Sequence, residues 1–181
     1  YDVSGNIEKS KFTFFKPFKS NLFEEKIEKI DFSNLELKAS FSPNNSKISG
    51  NGKYSFNNSE FFAINFSNNL INDSVQLKLN LDIGNIIKLD FINYKKQPKS
   101  VAKLDVDLEK KKNILKNNSL KFNESKNSIK IDGLILNKKK FLSFKKVEIV
   151  TTNNNFYIEK KRKIIIKGNK FDATNLAKIF N

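Results

Sequence analysis

The feature that most constrains this chain is the alternation across Ser74–Ile83, Ser-Val-Gln-Leu-Lys-Leu-Asn-Leu-Asp-Ile. Val75, Leu77, Leu79, Leu81 and Ile83 are apolar, and Ser74, Gln76, Lys78, Asn80 and Asp82 between them are polar. A period of two places all the apolar side chains on one face of a strand, whereas a helix would scatter them around its circumference. Extended, the segment spans roughly 34 Å. Burying its apolar face contributes on the order of 7–15 kcal/mol before chain entropy is subtracted. That face therefore needs an apolar partner, protein or lipid.

The same period recurs along most of the chain. Leu35, Leu37, Ala39 and Phe41 alternate with polar residues, Ser42-Pro43-Asn44-Asn45 supplies a turn, and 47–56 alternates again, which predicts a hairpin. A strand is expected over 60–66, with Ser67-Asn68-Asn69 and Asn72-Asp73 turning into the segment above. After Gly84-Asn85, the run 86–94 is apolar enough for a strand, and Lys95-Lys96-Gln97-Pro98-Lys99 reads as a basic turn. Ala102, Leu104, Val106 and Leu108 alternate with Lys103, Asp105, Asp107 and Glu109. Leu120 and Phe122 precede a turn over 123–127, Ile129 and Ile131 begin a strand that reaches Leu136 through Gly133, and 141–152, 156–160 and 163–167 complete the β pattern. Such short turns predict a meander.

Three segments depart from this simplicity. Residues 1–18 read as one or two short strands interrupted at Pro17. Leu22, Phe23, Ile27 and Ile30 fit a short amphipathic helix, although 27–32 equally fits the start of a strand. At the C-terminus Asp172 is a candidate N-cap, and Ala173, Leu176, Ala177 and Phe180 take helical spacing, predicting a short helix over about 173–180. A weak internal echo links 35–50 with 120–133, each a strand and an Asn/Ser-rich turn ending in Ile-Ser-Gly or Ile-Asp-Gly, and Ile166-Lys167-Gly168 repeats the last element. Recurrent Gly predicts bulges, bends or close backbone approach in a sheet that curves at intervals.

The hydrophobic fraction of 38% is low for a compact globule, yet 18 Phe and many Ile are too many for a disordered chain. The expectation is one mainly β segment over 1–181, divided into N-terminal strands over 1–72 and a second part over 73–181. It opens on Tyr1 rather than Met and is read as part of a longer repetitive chain. The net charge is +15, almost wholly from Lys, since Arg162 is the single arginine. That composition favours attraction to anionic surfaces over base reading or bidentate phosphate clamping. Drift in an AT-rich genome accounts for it equally well. With lysines spread over many turns, nucleic-acid binding is not expected.

Absence of His, Cys, Met and Trp removes thiol nucleophiles, disulfides, imidazole bases and Cys/His zinc sites. No acid, base and nucleophile set is legible, so no enzyme, cofactor or metal is expected. Asp105 and Asp107 share a strand face without a Gly-rich Ca²⁺ loop and read as an exposed face. No apolar run approaches the length of a membrane span. The runs Lys110–Lys112, Lys138–Lys140 and 160–163 fall at strand ends. There they would gain about 1 kcal/mol each near an anionic membrane, although solvated turns and edge protection are the commoner use.

The second half resembles the AsmA-like proteins of Gram-negative envelopes, the YhdP-like branch and its relatives beside TamB. The residues that carry the resemblance are the alternating strand over 73–83, Ile92-Asn93-Tyr94-Lys95-Lys96-Gln97-Pro98, the strand over 100–108, the strand 128–133 ending in Asp132-Gly133, and Gly168-Asn169-Lys170-Phe171-Asp172 leading to Leu176. The resemblance implies an elongated, curved and twisted antiparallel sheet with an open apolar groove. It also implies a periplasmic setting, tethering to the inner membrane by a segment outside this chain, and phospholipid movement between inner and outer membranes as the task. The candidate groove lining is Val75, Leu77, Leu79, Leu81 and Ile83, with Leu104, Val106 and Leu108 and then Ile129 and Ile131. Mutual packing into an ordinary core is the alternative.

Overall fold

The computed structural model describes residues 1–138 and 140–174. Its frame is a 12-stranded antiparallel sheet that curves without closing. The long N-terminal strands are β1 (Asp2–Phe18), β2 (Ile27–Ser42), β3 (Asn45–Phe56), β4 (Phe62–Ile71) and β5 (Ser74–Ile83). An excursion follows, containing β6 (Lys88–Leu89), a single 3₁₀ turn (Asp90–Ile92) and β7 (Tyr94–Lys95), before β8 (Ala102–Lys111), β9 (Ile114–Glu124) and β10 (Asn127–Asn137) rejoin the sheet. The remainder is β11 (Lys140–Ser143), β12 (Lys146–Val150), β13 (Asn155–Lys160) and β14 (Ile164–Lys170). Neighbours follow chain order throughout, β1-β2-β3-β4-β5-β8-β9-β10-β12-β13-β14, with β11 pairing the far end of β10, so the expected meander is the topology.

Several local expectations are corrected. Residues 1–18 form one strand, because β1 holds register with β2 from Asp2↔Ser40 to Thr13↔Lys29. No helix forms over 20–30: Phe23 makes a single bridge to Ile87, and the chain enters β2 at Ile27. Ser67-Asn68-Asn69 is not a turn but the middle of β4, held between Ser49 and Lys78, Ile48 and Leu77, and Lys47 and Gln76 on its two neighbours. Pairing on both sides supplies ladder hydrogen bonds that outweigh the poor strand propensity of Asn. The strand expected over 86–94 is broken by the 3₁₀ turn, and that expected over 141–152 is split into β11 and β12. From residue 175 onward the expected terminal helix lies outside the described residues.

Phase shifts in the apolar pattern explain where the sheet is irregular. In β10 the apolar residues change from odd to even positions, Ile129 and Ile131 and then Leu134 and Leu136. In a regular strand a one-residue change of phase sends the second half to the opposite face. Gly133 between them adopts φ +66°, and Leu134 still opposes Asn117, which opposes Leu108, so the apolar side is kept. β2 does the same around Asn34, at φ 49°, where the register with β3 shifts between Ser33 and Glu36. A bulge absorbs one residue and restores the face. The Gly recurrence is therefore not one device. Gly133 changes the phase through its positive φ with the β9 register unbroken, the register shift lying one strand away between Asp107 and Leu108 of β8, whereas Gly50 makes room for the Phe66 ring, whose atoms lie 2.8 Å from where a Cβ would stand.

The fully buried core is small and lies at one end of one face. Ile83, Ala102, Phe122, Ile129 and Ile149 come from the sheet, and Ile87, Ile92 and Tyr94 come from the excursion over 84–101, which folds back over them as a flap. The opposite face is polar and cross-linked by pairs such as Asn80 Nδ2 to Asp105 Oδ1 (2.6 Å), Lys130–Asp132 (3.1 Å) and Lys146–Glu148 (2.7 Å).

Candidate functional site

Register places all of the candidate lining residues on one face. Directly opposed residues of an antiparallel pair point the same way, so the pairings can be followed from strand to strand. One row runs Ile64, Leu81, Leu104, Phe122, Ile129, Ile149 and Phe156, from β4 to β13. The next runs Phe66, Leu79, Val106, Leu120, Ile131, Val147 and Ile158. A third places Leu77 opposite Leu108, and Val75 opposes Leu70 nearer the strand ends. Ile83 opposes Ala102 at the other end.

These residues are not equally covered. Ile83 and Ile129 are buried by the flap, at 3% and 4% exposure, whereas Val75, Leu77, Leu79, Leu81, Leu104, Val106, Leu108 and Ile131 are all only half-buried. Among the described residues no second layer lies over the uncovered part. Polar side chains interrupt it: Lys110 opposes Val75 near the strand ends, Asn68 opposes Leu77, and Asn117, 3% exposed, opposes Leu108, the two Asn each with a buried Oδ1 that accepts no hydrogen bond.

A polar clamp pins the flap. The Lys96 ammonium, fully buried, donates to the carbonyl oxygens of Gly84 (2.8 Å), Ser100 (2.5 Å) and Gln97 (3.3 Å). The Glu124 carboxylate, 2% exposed, accepts from Tyr94 Oη (2.6 Å), the Gln97 amide (2.9 Å), Asn127 Nδ2 (3.1 Å) and the Ser100 hydroxyl. Gln97 and Ser100 therefore feed the carboxylate with their donors and the ammonium with their carbonyls. Burial alone would raise the Glu124 pKa, but the hydrogen bonds from Ser100, Tyr94, Gln97 and Asn127 outweigh it and hold the carboxyl below its ordinary range. Burial lowers the Lys96 pKa, and the Glu124 charge opposes that shift. Desolvation, with the bond to Glu124, pushes the Tyr94 phenol well above its ordinary value.

The Gly-x-x-Phe-Asp segment closes the same end. The Gly168 Cα leaves space that Phe156 fills, Phe171 stands edge-on to Phe156 with centroids 5.1 Å apart, and the Asp172 carboxylate accepts from Asn93 Nδ2 (2.9 Å). Asn154, fully buried, donates to the Ile92 carbonyl (2.7 Å) and accepts from the Asp172 amide (2.9 Å). Hydrogen bonds from Thr174 and Asn93 lower the Asp172 pKa to about 2. Beside the flap root a cleft of about 400 Å³ opens between Phe23, Ile27, Phe62 and Val101, with Glu24, Glu25 and Glu60 among its lining.

Sequence reasoning missed Lys96, Glu124 and Asn154 as structural residues. A signal was present for the first: Ile92, Tyr94 and Lys96 continue a period of two, which puts Lys96 on the buried side of what reads as a basic turn. Asp105 and Asp107 stay on the polar face, bonded to Asn80 and, at 3.0 Å, to Asn118. Among the described residues no group of His, Cys, Asp or Glu is arranged to hold a metal ion, and no helix is long and apolar enough to cross a membrane.

Fold and face together define a class: an open antiparallel sheet with a polar face and an apolar face that the flap covers at one end. Comparisons of the chain with protein-family models, with curated proteins and with solved structures find no match. The AsmA-like resemblance stands on its motif residues alone.

Proposed function

We propose that the uncovered apolar face shields phospholipid acyl chains, and that the protein acts without covalent chemistry as a segment of a periplasmic lipid conduit between the inner and outer membranes, tethered to the inner membrane by a segment outside this chain. One observation carries the reading: Leu79, Val106 and Leu120 continue an in-register apolar row that runs on to Ile131 and Val147, which pack against the core at the flap end, yet the first three remain half-buried with nothing packed over them among the described residues. A soluble protein seldom leaves so long an apolar stripe in water unless something binds it. Hydrocarbon chains suit the stripe because it offers area without directional polar groups.

The test is lipid bound to purified protein, quantified after extraction, for the parent and for Leu79→Asp and Val106→Asp. Each substitution sets a carboxylate in the row. Loss of bound lipid from folded variants is expected, and full retention in both refutes the reading. The second reading, a β-rich interaction module with an ordinary core, draws on the flap, which covers Ile83, Phe122, Ile129 and Ile149 as a core layer does. It is favoured if the parent binds no lipid.

A further inference from the structure

We infer that the hairpin tips at the end of the sheet opposite the flap form a docking edge for an anionic bilayer surface. The meander collects at that end the basic runs that lie far apart in sequence. The β8–β9 tip carries Lys110, Lys111 and Lys112, all exposed. The β10–β11 tip carries Lys138 and Lys140, and the β13–β14 tip carries Lys160, Lys161, Arg162 and Lys163, again all exposed. The β8–β9 and β10–β11 tips are level, Ile114 opposing Asn137, and two strands apart, roughly 10 Å; the β13–β14 tip points the same way but ends nearer mid-sheet, Glu159 standing level with Asp132 through Lys146. Against them at this end stand Asp2, Asp73, Glu109 and Glu159, and Glu159 already pairs with Lys161 at 3.3 Å. At the flap end Glu24 binds both Lys88 (2.5 Å) and Lys95 (3.1 Å), and Lys96 and Glu124 are buried in the clamp, while the exposed Lys99 and Lys126 stand singly and not in runs.

Apolar side chains stand exposed among these lysines. Leu70 and Ile71 at the β4–β5 tip are each 41% exposed, Phe141 and Leu142 beside Lys140 are 58% and 49% exposed, and Ile164 beside Lys163 is 59% exposed. Lysine with interleaved large apolar groups is the pairing that engages a bilayer: the ammonium groups meet anionic head groups while the apolar tips enter the head-group boundary. A phosphate backbone uses the first and not the second, and the single arginine leaves little bidentate phosphate recognition. The inference deepens the lipid reading by naming the surface that would present the apolar face to a membrane.

Flotation of the full chain with vesicles of phosphatidylcholine containing about a third phosphatidylglycerol, against phosphatidylcholine alone, tests it. Binding to the anionic vesicles only, weakened by salt, is expected. Each lysine is worth about fivefold in affinity near such a surface, so K110E/K111E/K112E loses at least about a hundredfold, while K99E/K126E at the opposite end floats as the parent does. F141S/L142S lowers the binding that survives high salt. Equal binding to neutral vesicles, parental flotation of the triple variant, or equal loss in K99E/K126E overturns the inference. So does a single-stranded oligonucleotide that binds more tightly than the vesicles and is unaffected by F141S/L142S. Leu79→Asp separates the two readings, since it is expected to lose extracted lipid yet float normally.

Discussion

The two ends of one apolar face carry the same alternation and meet opposite environments. At the flap end Ile149 is 1% exposed and Phe122 5%, under Ile87, Ile92 and Tyr94. Toward the other end Leu77, Leu79, Val106 and Leu108 remain half-buried in the same register. The covered end behaves as a core and holds the flap by a polar clamp. The uncovered part has alternation without a second layer inside the described chain, and it is this part on which the proposed function rests.

Breaking the clamp gives the largest expected effect. Glu124→Leu leaves the Tyr94 hydroxyl and the Gln97 amide without their acceptor and the buried Lys96 charge uncompensated, which costs about 3–5 kcal/mol. Urea denaturation measures the loss, and accelerated proteolysis within 84–101 shows that the flap has been released.

Truncation separates the two ends more directly. Ile149→Ala at the covered end is expected to cost about 2–4 kcal/mol, because it opens a cavity beneath the flap. Leu79→Ala on the uncovered part should cost about 1 kcal/mol, since that side chain is only half-buried and its loss leaves no closed cavity. Equal costs in chemical denaturation would erase the distinction between covered and open regions.

A smaller effect appears on acidification. The folded-state pKa of Glu124 lies below its ordinary 4.5, so its contribution is fully present above that value and is lost as pH falls through the folded value. Asp172, lowered from 3.8 to about 2, follows at still lower pH. On the acid side, loss of flap stability is therefore confined to pH below about 4.5, and Glu124→Gln should flatten the first part of that profile, read by tyrosine fluorescence or by exchange of the amides over 84–101. The smallest expected effect is a gain: Asn117→Leu removes a buried, unpartnered amide oxygen and stabilises the protein by about 1 kcal/mol in the same denaturation assay.

Much of the sheet was legible because strand geometry is local. Alternation located β5 and β8, and Leu81↔Leu104 and Leu79↔Val106 follow once their apolar faces are matched. Even the change of phase within β10 is written in the step from Ile131 to Leu134, with Gly133 able to take the positive φ between them. What was not legible depends on neighbours: Asn68 sits in a strand because β3 and β5 hold it there, and Lys96 is buried because distant carbonyls and Glu124 converge on it.

The sequence by itself determined a mainly β chain with one apolar and one polar face, because side-chain direction in a strand is set by backbone geometry within two residues. Tertiary structure alone decided which part of the apolar face is covered, and that the basic β8–β9 and β10–β11 tips stand level with each other. Both depend on where the excursion over 84–101 lands and on how many strands separate one tip from the next. These are consequences of pairing between residues remote in the chain, and a local period carries no record of them.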